Sequence, residues 1–177
     1  MPNLKTTLKS FFKFCPHCGK SLGLKKIHGQ TERVCPACGF VFWLNSKPTA
    51  SLLLVQKGQV LLAKRAINPN KGEWDLPGGF LEIDERPEKG LQREIREELG
   101  IRIIRPTFFG IYLGHYASTP PQATFNVYYL STHFTGTLKP QDDVTSLAWH
   151  PLKRLPKKIA FANNRQALRD LRVFLKR

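Results

Sequence analysis

The sequence predicts an α+β protein preceded by a small module that contains every cysteine of the chain. All four cysteines lie in two matching segments, CPHCG at 15–19 and CPACG at 35–39. From Thr49 onward the pattern is that of a β-hairpin, and residues 87–99 carry apolar side chains at helical spacing. A chain of 177 residues that is 41% hydrophobic is large enough for one main domain and an accessory module. We therefore divide it into an N-terminal segment (1–14), a four-cysteine module (15–43) and a larger domain (44–177).

The N-terminal segment has apolar residues at helical spacing, which predicts a short docked helix (Leu4, Leu8, Phe11, Phe12). The sequence contains no run of eighteen apolar residues, and this segment lacks the apolar core and cleavage site of a secretory signal. We therefore expect a cytoplasmic protein that does not associate with a membrane.

The cysteines follow the pattern C-x2-C-x16-C-x2-C, which is typical of a structural zinc site. Two disulfides or a redox pair are the alternatives, but an intracellular chain argues against the first and the duplicated segments argue against the second. The predicted ligands are the four thiolates of Cys15, Cys18, Cys35 and Cys38. Four protein ligands leave no open position on zinc, so we expect a structural ion. The module then ends near Trp43, and residues 44–50 form a linker.

The chain is strongly basic, with a formal net charge of +15 and a pI near 10.0. This balance favours polyanionic partners: nucleic acid, an acidic membrane surface or a small molecule rich in phosphate. Basic residues are concentrated after Pro151, where their simplest interpretation is a solvated helix face.

The larger domain is predicted to begin with a hairpin that turns at Gly58. The following loop, NPNKGEWDLPGG, is rich in Gly, Pro and Asn and is expected to bring Trp74 and Gly79 to one end of the sheet. A helix is predicted from Pro87 to Leu99 with Gly100 as its C-terminal cap. Gly90 in this helix indicates close approach of another part of the backbone.

Three carboxylates of this helix share one side (Glu94, Glu97, Glu98). They repel one another, and a salt-bridged, solvated face is one interpretation. The other is a site for Mg²⁺ or Mn²⁺, which prefer carboxylate oxygens shared with substrate phosphates. Seven of the thirteen acidic residues lie between positions 79 and 101, directly after a glycine-rich loop. This clustering favours the metal site.

The segment GFLEIDERPEKGLQREIREELGI, residues 79–101, matches without a gap the Nudix box, the signature motif of the Nudix hydrolases. The resemblance implies a Nudix fold, an α/β/α sandwich around a mixed sheet, preceded here by a zinc ribbon. It further implies metal ligation by the carboxylates of Glu94 and Glu98, supported by Glu97 and the carbonyl of Gly79. Arg93 would hold the glutamates in place by pairing with Glu85.

The resemblance leaves the general base open. Some family members use a glutamate from a downstream loop, but no glutamate follows Glu98 in this chain. Asp142 and Asp143 are the obvious substitutes, although they equally fit a charged turn before a strand. Glu85 is a second candidate for the base.

The activity that the resemblance implies is hydrolysis of a nucleoside diphosphate linked to another group, with Mg²⁺ or Mn²⁺ as cofactor. A zinc ribbon ahead of a Nudix domain resembles the NADH pyrophosphatases and related FAD and ADP-ribose pyrophosphatases. The Ser-Gln-Pro-Trp-Pro-Phe-Pro motif of the NADH enzymes is missing from the corresponding stretch, GIYLGHYASTPPQATFNVYYL. Aromatic residues are expected either to stack on a base or to belong to the scaffold (Trp74, Phe80, Tyr112).

The rival function is a nucleic-acid-binding zinc ribbon, or a Nudix enzyme acting on capped RNA ends, because the chain is basic at both ends. Pure nucleic-acid binding does not require the carboxylates of the box, so we prefer the enzyme. Family members are often dimers, which makes a homodimer a further expectation.

Overall fold

The computed structural model describes residues 9–117 and 121–176. The chain forms two compact units, Met1–Ser46 with Ala117–Gln122 and Lys47–Tyr116 with Ala123–Arg177. The predicted domain limits at 14 and 43 stay a prediction. Leu4 and Leu8 of the predicted N-terminal helix lie outside the described residues, whereas Phe12 stacks on Phe42 with ring centroids 4.5 Å apart.

The first unit contains a three-stranded antiparallel sheet: β1 (Gly23–Ile27), β2 (Gln30–Val34) and β3 (Val41–Phe42). The hairpin of β1 and β2 connects the two cysteine segments. A small apolar cluster is formed by Cys15, Leu22 and Cys35, against which Phe40 and Phe42 pack. So small a core provides little stabilisation of its own, which makes a bound metal important for this unit.

The second unit is built on a mixed sheet with the strand order β12-β5-β4-β10-β9. Its long strands are β4 (Lys47–Gln56), β5 (Gln59–Arg65), β9 (Thr107–Tyr116), β10 (Gln122–Ser131) and β12 (Val144–Pro151). Two short strands, β6 (Trp74–Asp75) and β7 (Gly78–Phe80), pair with β5 and β4. A separate two-stranded sheet contains β8 (Ile101–Ile104) and β11 (His133–Gly136). Strands β4 and β10 are parallel, with Thr49 opposite Asn126.

Two helices, α1 (Pro87–Leu99) and α2 (Ala162–Phe174), cover opposite faces of this sheet. Side chains alternate along β4, so that Leu52 and Leu54 belong to the core with α1, whereas Leu53 and Val55 belong to the core with α2. A central strand buried on both faces has a continuous apolar run, as SLLLV is here. The predicted α+β class and α/β/α sandwich are confirmed.

The predicted hairpin and box helix are present with small corrections. Helix α1 begins with Pro87 and ends before Gly100, whose φ of 68° provides the left-handed cap. The predicted linker 44–50 is too long, because β4 begins at Lys47, which pairs with Thr124 of β10. The close approach predicted at Gly90 is present: the three atoms nearest to a Cβ there belong to the side chains of Leu81 and Glu85 in the loop before the helix.

The basic residues after Pro151 are exposed wherever the structure describes them, but only three of them lie on a helix, because Lys153, Arg154, Lys157 and Lys158 precede α2. Helix α2 buries Ala167, Leu168 and Leu171 against the sheet, and its arginines are exposed (Arg165, Arg169, Arg172). Among the residues described, no helix has the length and apolar character needed to cross a membrane.

Candidate functional site

The carboxylates of α1 meet strand β7, which carries the glycines of the loop before the box. The backbone N–H of Gly78 donates a hydrogen bond of 2.9 Å to Glu98 Oε2. At Gly79 a Cβ would lie 2.4 Å from the nearest carboxylate oxygen of Glu94. Glycine is therefore required here for a steric reason: it leaves the space that the Glu94 carboxylate occupies.

Arg93 connects the box loop to the glutamates of α1. Its guanidinium forms a two-point pair with Glu85, Nε to Oε1 at 3.0 Å and Nη2 to Oε2 at 2.9 Å. Nη1 donates to Glu94 Oε1 at 2.8 Å and to Glu97 Oε2 at 3.2 Å, and Nη2 also donates to the carbonyl of Phe80 at 3.0 Å. The hydrogen bonds from Arg93 lower the pKa of Glu85, and the hydrogen bond to Glu85 is the main reason that the pKa of Arg93 is raised.

Glu94 and Glu98 are the two box carboxylates with raised pKa values. Burial is the main cause for both, and the nearby charge of Asp143 adds to it. Glu98 is buried, with only 7% of its surface exposed. The two carboxylates thus lie close together in a site where the cationic side chains of the protein neutralise their negative charge only in part.

This arrangement fits a hard divalent cation. The donors are carboxylate oxygens, which Mg²⁺ and Mn²⁺ prefer, and a cation would relieve the repulsion that adds to the raised pKa values of Glu94 and Glu98. The three glutamates Glu94, Glu97 and Glu98 do not bring their oxygens within 4.8 Å of one another, since the one such group among the described residues consists of the four cysteines. Glu97 is exposed and bound to Arg93, so Glu94 and Glu98 are the better placed ligands.

A cavity of about 260 Å³ in the second unit opens beside these carboxylates. Its acidic wall comes from α1 and the loop before β12 (Glu94, Glu98, Asp142, Asp143). That loop is attached to the end of α1, because the N–H groups of Lys139 and Gln141 donate to the carbonyls of Leu99 and Glu98. Much of the remaining lining is aromatic and polar, with side chains from the sheet and from the start of α2 (Phe80, Tyr116, Phe161, Thr124, Asn126, Asn163).

The predicted site residues fall into three groups. Six line the cavity: Gly79, Phe80, Glu94, Glu98, Asp142 and Asp143. Glu85, Arg93 and Glu97 form the ion-pair cluster beside it. Trp74 and Tyr112 do not line the cavity: Trp74 packs edge-on against His150 at 4.7 Å, and the Tyr112 hydroxyl donates to Asp170 of α2. Both belong to the scaffold, because β6 and β9 turn these rings toward the α2 core.

Sequence reasoning missed a buried polar cluster, of which Asp75, Asn163 and Asn164 line the cavity. Asp75 forms an ion pair of 2.8 Å with Arg65, and it also accepts from the side chain of Asn164. Tyr128 and Asn163 continue the cluster. The signals were faint: a single Asp in the loop GEWDLPGG and the pair Asn163–Asn164 near the start of a helix.

The four cysteines of the first unit lie together as predicted. The Sγ atoms are all within 4.8 Å of one another, with Cys15 to Cys38 at 3.7 Å and Cys18 to Cys35 at 3.5 Å. Tetrahedral zinc with Zn–S bonds of about 2.3 Å requires S–S separations of about 3.8 Å. Gly19 and Gly39 have φ values of 72° and 76° and close the two turns. The four thiol groups can therefore hold one zinc ion.

Comparison with known families settles the classification. The model of the NUDIX domain matches residues 46–171 of the chain. The chain belongs to the NUDIX family. The predicted Nudix fold and the assignment to a family of hydrolases are thus confirmed.

Relatives of the chain include proteins named as NAD-capped RNA hydrolases and as an ADP-ribose pyrophosphatase. The chain is 28% identical over 155 residues to the NAD-capped RNA hydrolase NudC of Chromobacterium violaceum, covering 84% of this chain and 55% of that protein. It is 32% identical over 105 residues to the ADP-ribose pyrophosphatase of Methanocaldococcus jannaschii, covering 59% of this chain and 62% of that one. The chain spans roughly half to three fifths of the length of these relatives.

Solved NUDIX structures have the same fold as the second unit. A MutT NUDIX hydrolase from Burkholderia pseudomallei is 30% identical with a TM-score of 0.64, covering 70% of this chain and 95% of that one. A NUDIX hydrolase from Nitrosomonas europaea is 27% identical with a TM-score of 0.62, and 88% of each chain is covered.

Proposed function

We propose that the protein is a hydrolase, dependent on Mg²⁺ or Mn²⁺, that cleaves a nucleoside diphosphate linked to a second group into a mononucleotide and a phosphorylated product. The observation that carries this proposal is the pair of a half-buried Glu94 and a buried Glu98 in a cavity whose lining also contains aromatic and polar side chains. The carboxylates suit cations that bind phosphate, and the aromatic side chains suit a planar base.

Glu94 and Glu98, with the carbonyl of Gly79, would hold the cation, which neutralises phosphate oxygens and lowers the pKa of a bound water molecule. The residues of the chain position the reaction. Arg93 holds Glu94 by its 2.8 Å hydrogen bond, and Gly78 holds Glu98 from the other side. Water attacks one phosphorus atom, the bridging P–O bond breaks, and the oxygen of the leaving phosphate keeps the electron pair.

The geometry favours the downstream loop as the source of a general base. Glu85 is bound at two points by Arg93, and the lowered pKa of its carboxylate makes it a weak proton acceptor. Asp143 lines the cavity and lies near enough to Glu94 and Glu98 for its charge to affect both. We assign the base role to Asp143.

The substrate class follows from the relatives as well as from the cavity. Two of the relatives are named for ADP-ribose and for NAD-capped RNA, both of which contain an adenosine diphosphate linked to another group. A panel of ADP-ribose, NADH, FAD, diadenosine polyphosphates and NAD-capped RNA tests the proposal. We expect release of AMP or another mononucleotide in the presence of Mg²⁺ or Mn²⁺, and absence of turnover on the whole panel would contradict it.

Replacing Glu98 by Gln tests the site itself. Glutamine keeps an acceptor for the N–H of Gly78 but removes the charge, so we expect turnover to fall by about a hundredfold or more, about 3 kcal/mol in the barrier. The matched control is Glu88→Gln on the same helix, whose side chain is exposed and bonds to Tyr129 outside the cavity. Equal activity of Glu98→Gln and wild type would exclude Glu98 as a ligand.

We also expect Glu98→Gln to change the way in which the stability of the folded protein depends on pH. The folded protein raises the pKa of Glu98 above its ordinary value of 4.5, so above pH 4.5 the folded state binds more protons than the unfolded state. Stability of the metal-free protein therefore falls as pH rises, and Glu98→Gln removes this contribution. Without metal, we expect the Tm of Glu98→Gln to equal or exceed that of wild type at about pH 8, with the difference narrowing toward pH 4.5. Added Mn²⁺ should raise the Tm of wild type more than that of the variant.

A further inference from the structure

The buried polar cluster fixes the orientation of the Asn163 amide, which lines the cavity. Asp75 pairs with Arg65 and accepts from the N–H of Leu76 at 2.9 Å. Burial raises the pKa of Asp75 to about 6, so near neutral pH it is a carboxylate. A carboxylate only accepts hydrogen bonds, and Asn164 must therefore present its NH₂ group to Asp75.

The orientation of Asn164 determines those of Tyr128 and Asn163 in turn. With its NH₂ on Asp75, Asn164 presents Oδ1 to the hydroxyl of Tyr128, which donates to it. The oxygen of Tyr128 has then used its proton and can only accept, so Asn163 presents its NH₂ group, at 2.7 Å. Asn163 Oδ1 consequently points away from the cluster.

That oxygen lies in the cavity wall over Gly114. A Cβ on Gly114 would be 2.8 Å from both Asn163 Oδ1 and Thr124 Oγ1, so the glycine leaves both atoms their space. Asn163 and Thr124 both line the cavity. Thr124 Oγ1 already accepts from the amide of Asn126 at 2.9 Å, which leaves its own proton to donate. An acceptor, Asn163, and a donor, Thr124, thus lie side by side.

An aromatic wall accompanies this pair. Tyr116 and Phe161 are stacked with centroids 5.8 Å apart, and Phe80 meets Tyr116 edge-on at 5.5 Å. The guanidinium of Arg65, which pairs with Asp75, lies 5.1 Å from the ring centre of Phe161 and packs against that ring. All four residues line the cavity, and a planar heterocycle packs well on such a surface.

We propose that Asn163 Oδ1 and Thr124 Oγ1 form a subsite that selects a base with an exocyclic amino group next to a ring nitrogen, as in adenine, and that the cluster Asp75–Asn164–Tyr128 holds Asn163 in the selecting orientation. The amino group donates to Asn163 and the ring nitrogen accepts from Thr124. A base with a carbonyl in place of the amino group would bring its carbonyl oxygen against Asn163 Oδ1. Both atoms are acceptors, so no hydrogen bond forms between them. This inference rests on the proposed function for the placement of a nucleotide in the cavity.

Binding of AMP and IMP tests the subsite without turnover, because neither contains a phosphoanhydride. We expect AMP to bind about tenfold more tightly than IMP by titration calorimetry with Mg²⁺ present, since the mismatch leaves a buried acceptor without a donor. Equal affinities, or binding of neither nucleotide, would overturn the subsite. Hydrolysis of the dinucleotide panel is measured separately, so loss of the proposed activity and loss of base selection are distinct results.

Tyr128→Phe tests the cluster as a positioning device. Without the hydroxyl, the amide of Asn163 is free to turn, and we expect the AMP to IMP affinity ratio to fall toward one. Tyr129→Phe is the matched control: it is the next residue of β10, its hydroxyl donates to Glu88 at 2.8 Å on the opposite face, and it should keep the ratio of wild type. An unchanged ratio in a folded Tyr128→Phe protein overturns the positioning role. If that variant fails to fold, Asp75→Asn provides the test instead. Asparagine at position 75 allows the Asn164 amide to reverse, so this variant should also lower the AMP to IMP affinity ratio.

Discussion

Arg93 is the residue on which the acidic site depends most, because its one side chain contacts Glu85, Glu94 and Glu97 together with a backbone carbonyl. Guanidinium has five N–H donors in a fixed plane, which allows this many partners at once. Arg93 therefore sets the position of Glu94 without lining the cavity itself. A lysine has the charge but not the geometry.

We accordingly expect Arg93→Lys to lower kcat/KM for the hydrolysed substrate by about ten- to a hundredfold, the usual effect of losing a residue that orients metal ligands. Metal affinity, measured by Mn²⁺ titration, should fall as well. Arg96→Lys, an exposed position on the same helix, provides the control and should stay near wild type. Full activity of Arg93→Lys would show that charge alone suffices.

At the scale of elements, α1 and the loop before it act as one part. Local sequence determines this helix: Pro87 starts it, Gly100 caps it, and Leu91, Ile95 and Leu99 form its buried stripe. Gly90 lies where the helix touches the loop, at Leu81 and Glu85. Glycine lowers the stability of a helix relative to alanine, but the absence of a Cβ at this position allows the loop to pack closely against the helix.

Gly90→Ala tests this packing. Alanine improves helix propensity by about 1 kcal/mol, but its methyl group would lie 2.4 Å from Leu81 Cδ2 and 2.7 Å from Glu85 Oε2. Overpacking costs about 1–3 kcal/mol, and Glu85 is held by Arg93, so we expect a net loss of stability in urea unfolding together with reduced activity. The exposed neighbour Lys89→Ala should change stability by no more than about 0.5 kcal/mol. A stabilised, fully active Gly90→Ala would contradict this account.

The whole molecule has two units with different sources of stability. The second unit has two apolar cores, one on each face of its sheet, whereas the first has one small cluster around Cys15 and Cys35. A unit with so little buried apolar area would depend for its folding on a metal ion held by the four cysteines. The unit that carries the acidic cavity does not contain these cysteines.

Removal of zinc should therefore affect one unit selectively. We expect about one zinc ion per chain by elemental analysis, because one group of four cysteines binds one ion. A chelator, or Cys38→Ser, should abolish the ordered signals of residues 15–43 in NMR spectra while signals from β4, β5 and α1 persist. Ser131→Ala, which leaves all four thiols intact, serves as the control for zinc content. A zinc-free protein with an ordered first unit would exclude the structural role.

Features that depend on neighbours along the chain were predictable from the sequence: the two cysteine turns, the hairpin at Gly58, and the carboxylates on one side of α1. Their spacing is set by turn and helix geometry, which a sequence displays directly. Apart from Asp142 and Asp143, the distant side chains that share the cavity became known only from the tertiary fold. The fold joined Asp75 to Asn164, 89 positions apart, and turned Trp74 and Tyr112 into the α2 core. Contacts of that kind depend on the order of the strands in the sheet and on the face of the sheet to which each side chain points. Neither property can be read from a local sequence pattern.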